Sequence, residues 1–191
     1  MAIKLYGHPA SLCTRRVLLV LAEKGIDYEF INVNFIAGEQ KKPPYEEMML
    51  FGQIPALEDG SLRLYEFRAI ARYLSSKYRD QGNDLLPAVD DVQGWALFEK
   101  FASVGYSQVF DAALQGHGHL SDEIATQTRV TELHAKLDVL DKILATQDYL
   151  GGAEFTVMDI LYMPAMQMLR QADQVCLRAA CKHRFLVGES L

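Results

Sequence analysis

Ser11 lies between a predicted strand and a predicted helix, a position at which a hydroxyl can form functional hydrogen bonds. Residues 3–6 form a short apolar run typical of a strand, residues 7–9 (Gly-His-Pro) turn the chain, and residues 17–22 form a second apolar run. A serine oxygen at a helix N-terminus accepts a backbone N–H, and the helix dipole stabilises negative charge there. The position therefore favours either a plain N-cap, the more frequent use of serine, or a hydroxyl that contacts an anion.

The cysteines and histidines are weaker candidates for catalytic or metal-ligating residues. Cys13 follows Ser11 by two residues, but the sequence holds no Cys-x-x-Cys motif, so a thiol-transferase activity is only a minor alternative. Two further groups offer metal-ligating side chains without the spacing of a structural or catalytic site, so we predict no metal. These groups are His117 with His119, and Cys176 with Cys181 and His183. Three cysteines also argue against a disulfide framework and favour a reducing, cytoplasmic compartment.

Composition and charge exclude several classes of protein. The chain has 191 residues, half of them hydrophobic, and 19 basic against 25 acidic side chains. It is too apolar for a disordered chain and too acidic for a typical nucleic-acid binder, and it lacks the run of roughly 20 apolar residues that crosses a membrane. Residues 1–79 carry 11 basic and 9 acidic side chains, whereas residues 80–168 carry 4 and 14. This break predicts two domains, and a small anionic ligand would prefer the first.

The pattern of elements agrees with a break near residue 80. The first part shows a β-α-β order, then a polar excursion over residues 34–50, and then a hairpin with an Asp59-Gly60 turn and a helix. Residues 80–91 read as a linker, and the pattern beyond them is helical only. Leu133, Leu137 and Leu140 lie on one face of a long helix, and Thr156 with Asp159 forms a capping box. The sequence therefore predicts an α+β fold with an all-α second part.

Four segments carry a resemblance to a known family: Gly7–Val17, Gly38–Lys42, Phe51–Ala56 and Leu64–Ile70. In their residues and spacing they resemble the soluble glutathione transferases, and the phi class in particular. The resemblance extends over roughly residues 1–169. It implies a thioredoxin-like, glutathione-binding domain over residues 1–79 with a mixed four-stranded sheet, the linker 80–91, and a helical domain over residues 92–191 that lines the electrophile site.

The resemblance also implies an activity. Glutathione, as co-substrate, would be conjugated through its thiolate to a hydrophobic electrophile by a cytoplasmic homodimer, with no nucleic-acid or membrane partner. Ser11 would donate a hydrogen bond from its hydroxyl to the sulfur, and the backbone of Ile54, before a cis proline, would pair with the cysteinyl part. The remaining contacts would come from Gln53, Glu66 and Phe67 at the γ-glutamyl end and from Gln40 and Lys41 at the glycine carboxylate.

The sequence departs from the family pattern at three places. Phe67 replaces a serine, so the position keeps its N–H but loses a hydroxyl for the γ-glutamyl carboxylate, and its ring could obstruct the site. Gln40 replaces a common histidine. The sequence after residue 170 does not resemble the family, which predicts a shortened or divergent end. These departures keep open an alternative, a non-catalytic ligand-binding protein of the same fold. A role for Tyr106 or Cys13 at the site also stays open.

Overall fold

The computed structural model describes residues 3–110 and 123–171. The chain divides into two compact units, with the boundary between Leu86 and Pro87. The possible metal ligands at 117–119 and 176–183 lie outside the described residues, as does the end from residue 172 onward, for which divergence from the family is a prediction.

The first unit contains a mixed four-stranded sheet. Its strands are β1 (Ile3–Gly7), β2 (Tyr28–Asn32), β3 (Ala56–Asp59) and β4 (Leu62–Tyr65). The strand order is β2-β1-β3-β4, with β1 parallel to β2, antiparallel to β3, and β3 antiparallel to β4. The predicted α+β fold with a mixed sheet is therefore confirmed.

Three helices accompany this sheet. They are α1 (Leu12–Glu23), the short α2 (Tyr45–Met48) and α3 (Phe67–Lys77), and two 3₁₀ turns, Phe35–Ala37 and Glu39–Lys41, lie in the polar excursion. Helix α1 ends at Glu23, and Gly25 follows its C-cap with a φ of 57°, which allows Ile26 N–H to donate to Leu21 C=O at 2.9 Å. Gly25 therefore forms an αL cap, after which the chain turns into β2.

The β3–β4 hairpin differs by one residue from its sequence prediction. Asp59 pairs with Leu62 across the hairpin, so the loop is Gly60-Ser61, with Gly60 at a φ of 63°. The Asp59 carboxylate instead accepts hydrogen bonds from the Tyr73 hydroxyl at 2.7 Å and from the Lys77 ammonium. The acidic residue of the predicted turn therefore ties the hairpin to α3.

The last segment of the first unit packs on the C-terminal end of α1. Lys24 is fully buried, and its ammonium donates to the carbonyls of Arg79 at 3.3 Å and Asn83 at 2.6 Å. Burial lowers the pKa of Lys24, an effect that nearby Asp84 opposes. Leu85 and Leu86 are buried as well, so the beginning of the segment predicted as a linker contributes to the core of this unit.

The described part of the second unit is helical. It consists of α4 (Val92–Val104), a π-helical turn (Gly105–Phe110), α5 (Glu123–Leu144) and α6 (Val157–Gln171). The predicted stripe on α5 is buried at Leu133, Leu137 and Leu140. No helix in the described ranges is long and apolar enough to span a membrane.

Helix α6 begins with half of the predicted capping box. Asp159, fully buried, accepts hydrogen bonds from Thr156 N–H at 2.7 Å and from Leu150 N–H at 2.8 Å. The Thr156 hydroxyl donates to the same carboxylate at 3.0 Å rather than capping forward. Burial raises the pKa of Asp159, and these hydrogen bonds oppose the rise.

Candidate functional site

The strand register gathers the predicted site residues at one edge of the sheet. Tyr6 of β1 pairs with Ala56 of β3, and Ala56 pairs with Tyr65 of β4. Because β3 is antiparallel to both β1 and β4, the C-terminal ends of β1 and β4 lie at the same edge of the sheet as the N-terminal end of β3. The turn toward Ser11, the residues before β3 and the start of α3 therefore all project beyond that edge.

Ser11 is the N-cap of α1. Its backbone is extended, and its Oγ accepts a hydrogen bond from Thr14 N–H at 3.3 Å. The end of β1 packs tightly against α1, since a Cβ on Gly7 would lie 2.5 Å from the Thr14 methyl carbon. The cap bond occupies an oxygen lone pair and leaves the hydroxyl proton able to donate. The N-cap interpretation is correct, and it is compatible with contact to an anion.

The backbone next to the sheet edge presents unused hydrogen-bonding groups. The Ile54–Pro55 peptide bond is cis, the isomer that the resemblance implies. Neither the N–H nor the C=O of Ile54 has a hydrogen-bond partner among the described residues. The preceding carbonyl, of Gln53, accepts from the Tyr45 hydroxyl at 2.6 Å, while the Gln53 side chain is exposed. This segment can therefore act as an edge strand for an extended peptide.

Gln40 and Lys41 lie beside the same segment. The Lys41 ammonium donates to the Phe51 carbonyl at 2.8 Å, and Gln40 Oε1 is buried without a partner among the residues that the structure describes. Gly52 packs so tightly here that a Cβ on it would lie 2.6 Å from the Gln40 carbonyl oxygen. The second 3₁₀ turn and the segment before Ile54 thus form one packed unit.

Glu66 connects β4 to α3 in an uncommon conformation. Its φ is 68°, the one positive value at a non-glycine residue in the described ranges, and its side chain is exposed. Strained backbone of this kind is frequent at ligand-binding positions. Glu66 is the N-cap residue of α3, whose first amide groups lack intrahelical acceptors, and its side chain makes no capping hydrogen bond.

Phe67 does not project into solvent. Its side chain is 8% exposed, and the guanidinium of Arg16 lies over its ring at 4.7 Å from the centroid. Arg16 belongs to α1 and is itself 1% exposed. The contact therefore joins α1 to the start of α3.

Cys13 is a free thiol beside Arg16. Its sulfur accepts from an Arg16 Nη at 3.6 Å, and burial raises its pKa, an effect that Arg16 opposes. A raised pKa disfavours the thiolate. Tyr106, in the second unit, is 63% exposed. Within residues 3–110 and 123–171, no group of three or more His, Cys, Asp or Glu side chains is placed to hold a metal.

Sequence reasoning missed two side chains of this region, Tyr45 and Arg16. Tyr45 is 7% exposed, although it lies in a polar stretch after two prolines, and burial raises its phenol pKa above the usual range. A single aromatic residue in such a polar stretch indicates that its side chain packs against the core, and this signal could have identified Tyr45. Nothing in the sequence around Arg16 indicates that this arginine is buried against Phe67.

Known proteins resemble this chain over most of its length. Residues 1–76 match the glutathione S-transferase N-terminal domain family, and residues 105–189 match the C-terminal domain family. Glutathione S-transferase F6 of Arabidopsis thaliana is 36% identical over 173 residues, covering 87% of this chain and 83% of its own. Two solved structures are similar across both parts of the chain. The structure of glutathione transferase F7 from Populus trichocarpa has a TM-score of 0.84 at 32% identity and covers 94% of this chain and 89% of its own. Glutathione S-transferase-I bound with lactoylglutathione has a TM-score of 0.77 at 29% identity, covering 90% and 84%. The chain thus belongs to the glutathione S-transferase family, and its resemblance to the phi class is confirmed.

Proposed function

We propose that this chain conjugates the thiolate of glutathione to hydrophobic electrophiles. The observation that carries the proposal is the shared sheet edge, beyond which the Ser11 hydroxyl, the unused backbone groups of Ile54 and the start of α3 all project. Family membership and the lactoylglutathione complex of a relative support glutathione as the ligand.

Activation of the thiol is the chemical task. A thiol with a pKa of about 8.5 is mostly protonated at neutral pH, whereas the thiolate is the nucleophile. The first turn of α1 stabilises negative charge, and the Ser11 hydroxyl adds one hydrogen bond to sulfur. Lowering the thiol pKa by about two units corresponds to roughly 2.7 kcal/mol of stabilisation of the thiolate relative to the thiol.

The rest of the tripeptide binds along the same edge in this proposal. Ile54 exchanges backbone hydrogen bonds with the cysteinyl residue, and Glu66 faces the ammonium of the γ-glutamyl group, with Gln53 beside it. The N–H of Phe67 at the start of α3 faces the γ-glutamyl carboxylate. Gln40 and Lys41 approach the glycine carboxylate. The Lys41 ammonium carries three protons, so its bond to the Phe51 carbonyl leaves two for this carboxylate.

The proposal includes a homodimer in the cytoplasm, where a reducing environment keeps thiols reduced. Leu50 and Phe51 are 82% and 64% exposed, and the Phe51 ring lies 5.4 Å from that of Tyr65, which is itself 43% exposed. Clustered apolar side chains at a surface are typical of a protein contact, and here the partner would be a second copy of the chain. Light scattering should give twice the chain mass of 21.5 kDa.

Conjugation of a chloronitrobenzene electrophile by a Ser11→Ala variant tests the mechanism. Loss of a hydrogen bond to a charged sulfur should lower kcat/KM about 10- to 150-fold and move the pKa of bound thiol toward that of glutathione in solution.

Two matched variants separate catalysis from helix capping. Ser11→Thr keeps both the cap and the hydroxyl and should retain most activity, whereas Ser11→Gly keeps most of the cap stability and should lose activity as Ser11→Ala does. Unchanged turnover in Ser11→Ala would remove the hydroxyl from the mechanism. Retention of the wild type on immobilised glutathione with turnover supports the enzyme, whereas absence of both favours the non-catalytic ligand-binding alternative.

A further inference from the structure

The segment that precedes the cis proline has one strong hydrogen bond from the core. The Tyr45 hydroxyl donates to the Gln53 carbonyl at 2.6 Å. The carbonyl carbon of Gln53 and the nitrogen of Ile54 belong to one planar peptide group, and this group is trans. In a trans peptide, C=O and N–H point in opposite directions. A carbonyl held toward Tyr45 therefore directs the Ile54 N–H away from the core.

We propose that Tyr45 is a positioning residue for glutathione, because its hydroxyl orients the peptide plane whose N–H binds the cysteinyl residue. The inference rests on the proposed function, in which Ile54 pairs with the tripeptide. Tyr45 itself would not touch the ligand.

Tyr45 is well suited to this role because it is rigid. Its ring packs in a cluster with Val33, Met49 and Ala56, and it makes an edge contact with Tyr6 at 6.2 Å between centroids. A buried side chain of this kind loses little further entropy when the ligand binds, so the donor is preorganised.

The other end of the segment is held independently. Gly52 N–H donates to Met49 C=O at 2.7 Å, and the Lys41 ammonium donates to the Phe51 carbonyl. The Phe51 carbonyl and the Gly52 N–H belong to one peptide group, so this peptide plane is tied to neighbouring structure on both sides. Loss of the Tyr45 hydroxyl would release only the peptide plane next to Ile54, so its effect should be specific to glutathione.

A Tyr45→Phe variant removes the one oxygen atom and keeps the ring. We expect its Kd and KM for glutathione to rise about three- to tenfold, the range for one neutral hydrogen bond, with kcat at saturating glutathione within about twofold of wild type. Tyr73→Phe is the matched control, because it also removes a tyrosine hydroxyl that donates at 2.7 Å, but to Asp59 at the other end of β3. It should lower thermal stability without changing the Kd for glutathione.

Calorimetry with glutathione separates the possible outcomes. If wild type and Tyr45→Phe bind glutathione equally well, this inference alone is overturned. If wild type does not bind glutathione, the proposed function and this inference are both overturned. Hydrogen exchange of the wild type supplies a measurement that needs no variant: glutathione should slow exchange in the peptide that contains Ile54, and unchanged exchange there would also overturn the inference.

Discussion

Replacement of Phe67 by serine should expose a conflict between stability and ligand binding. The variant restores the hydroxyl that the family pattern has at the start of α3. It also removes a ring that is 8% exposed and that stacks on the Arg16 guanidinium at 4.7 Å. We therefore expect Phe67→Ser to bind glutathione more tightly and to unfold more easily.

The magnitudes follow from these two contacts. Truncation of a buried phenylalanine costs about 3–5 kcal/mol, including the cavity that it leaves. For a chain of this length the midpoint of thermal unfolding should then fall by about 6–20 °C. A new hydrogen bond from the serine hydroxyl to the γ-glutamyl carboxylate contributes about 1.5–3 kcal/mol, which tightens glutathione binding roughly 10- to 150-fold.

Calorimetric titration of glutathione and thermal unfolding, both on wild type and variant, measure the two effects. Phe67→Leu is the matched control, because it keeps much of the buried apolar volume and adds no hydroxyl. It should lose less stability than Phe67→Ser and leave glutathione affinity near wild type. A serine variant as stable as wild type would refute the buried packing of the ring on Arg16. One with unchanged affinity would refute contact between the start of α3 and the γ-glutamyl carboxylate.

Two further predictions concern the turn before Ile54 and the hairpin. Gly52→Ala should weaken glutathione binding and cost at least about 1 kcal/mol of stability, because its φ is 52° and its new Cβ would lie 2.6 Å from the Gln40 carbonyl oxygen. The control Gly60→Ala has a similar φ of 63° with no atom within 4 Å of the new Cβ, so binding should be unaffected; equal binding by both variants would argue against the tight packing at Gly52. Asp59→Asn tests a pH dependence, since hydrogen bonds from Lys77 and Tyr73 hold the pKa of this carboxyl below its usual range against the opposing effect of burial. Stabilisation by the carboxylate is present above the unfolded-state pKa and is lost as pH falls through the lower folded-state pKa. Asp59→Asn should therefore lower the unfolding midpoint by up to about 3 °C at pH 7, and its difference from wild type should vanish in strong acid. A difference that stayed constant down to acid pH would contradict the ion pair.

Local chemistry and spacing predicted most of the fold. The β-α-β order and the capping box at Thr156 and Asp159 depend on patterns over a few residues, so the sequence around them suffices. The same holds for Ser11, because an N-cap depends on its own helix turn. The hairpin loop was misplaced by one residue, since pairing of Asp59 with Leu62 depends on the whole β3–β4 register.

Motif resemblance and periodicity in the sequence were sufficient to predict an α+β protein of the glutathione S-transferase family, with a serine hydroxyl at the N-cap of α1. Three features became visible only in the folded chain: the position of the Phe67 ring, the burial of Arg16 against it, and the hydrogen bond from Tyr45 to the carbonyl before Ile54. Each of these contacts joins elements distant along the chain or depends on the direction of a side chain. Spacing in a sequence reports which face of an element a residue occupies, but the partner on that face is set by how the helices and strands pack.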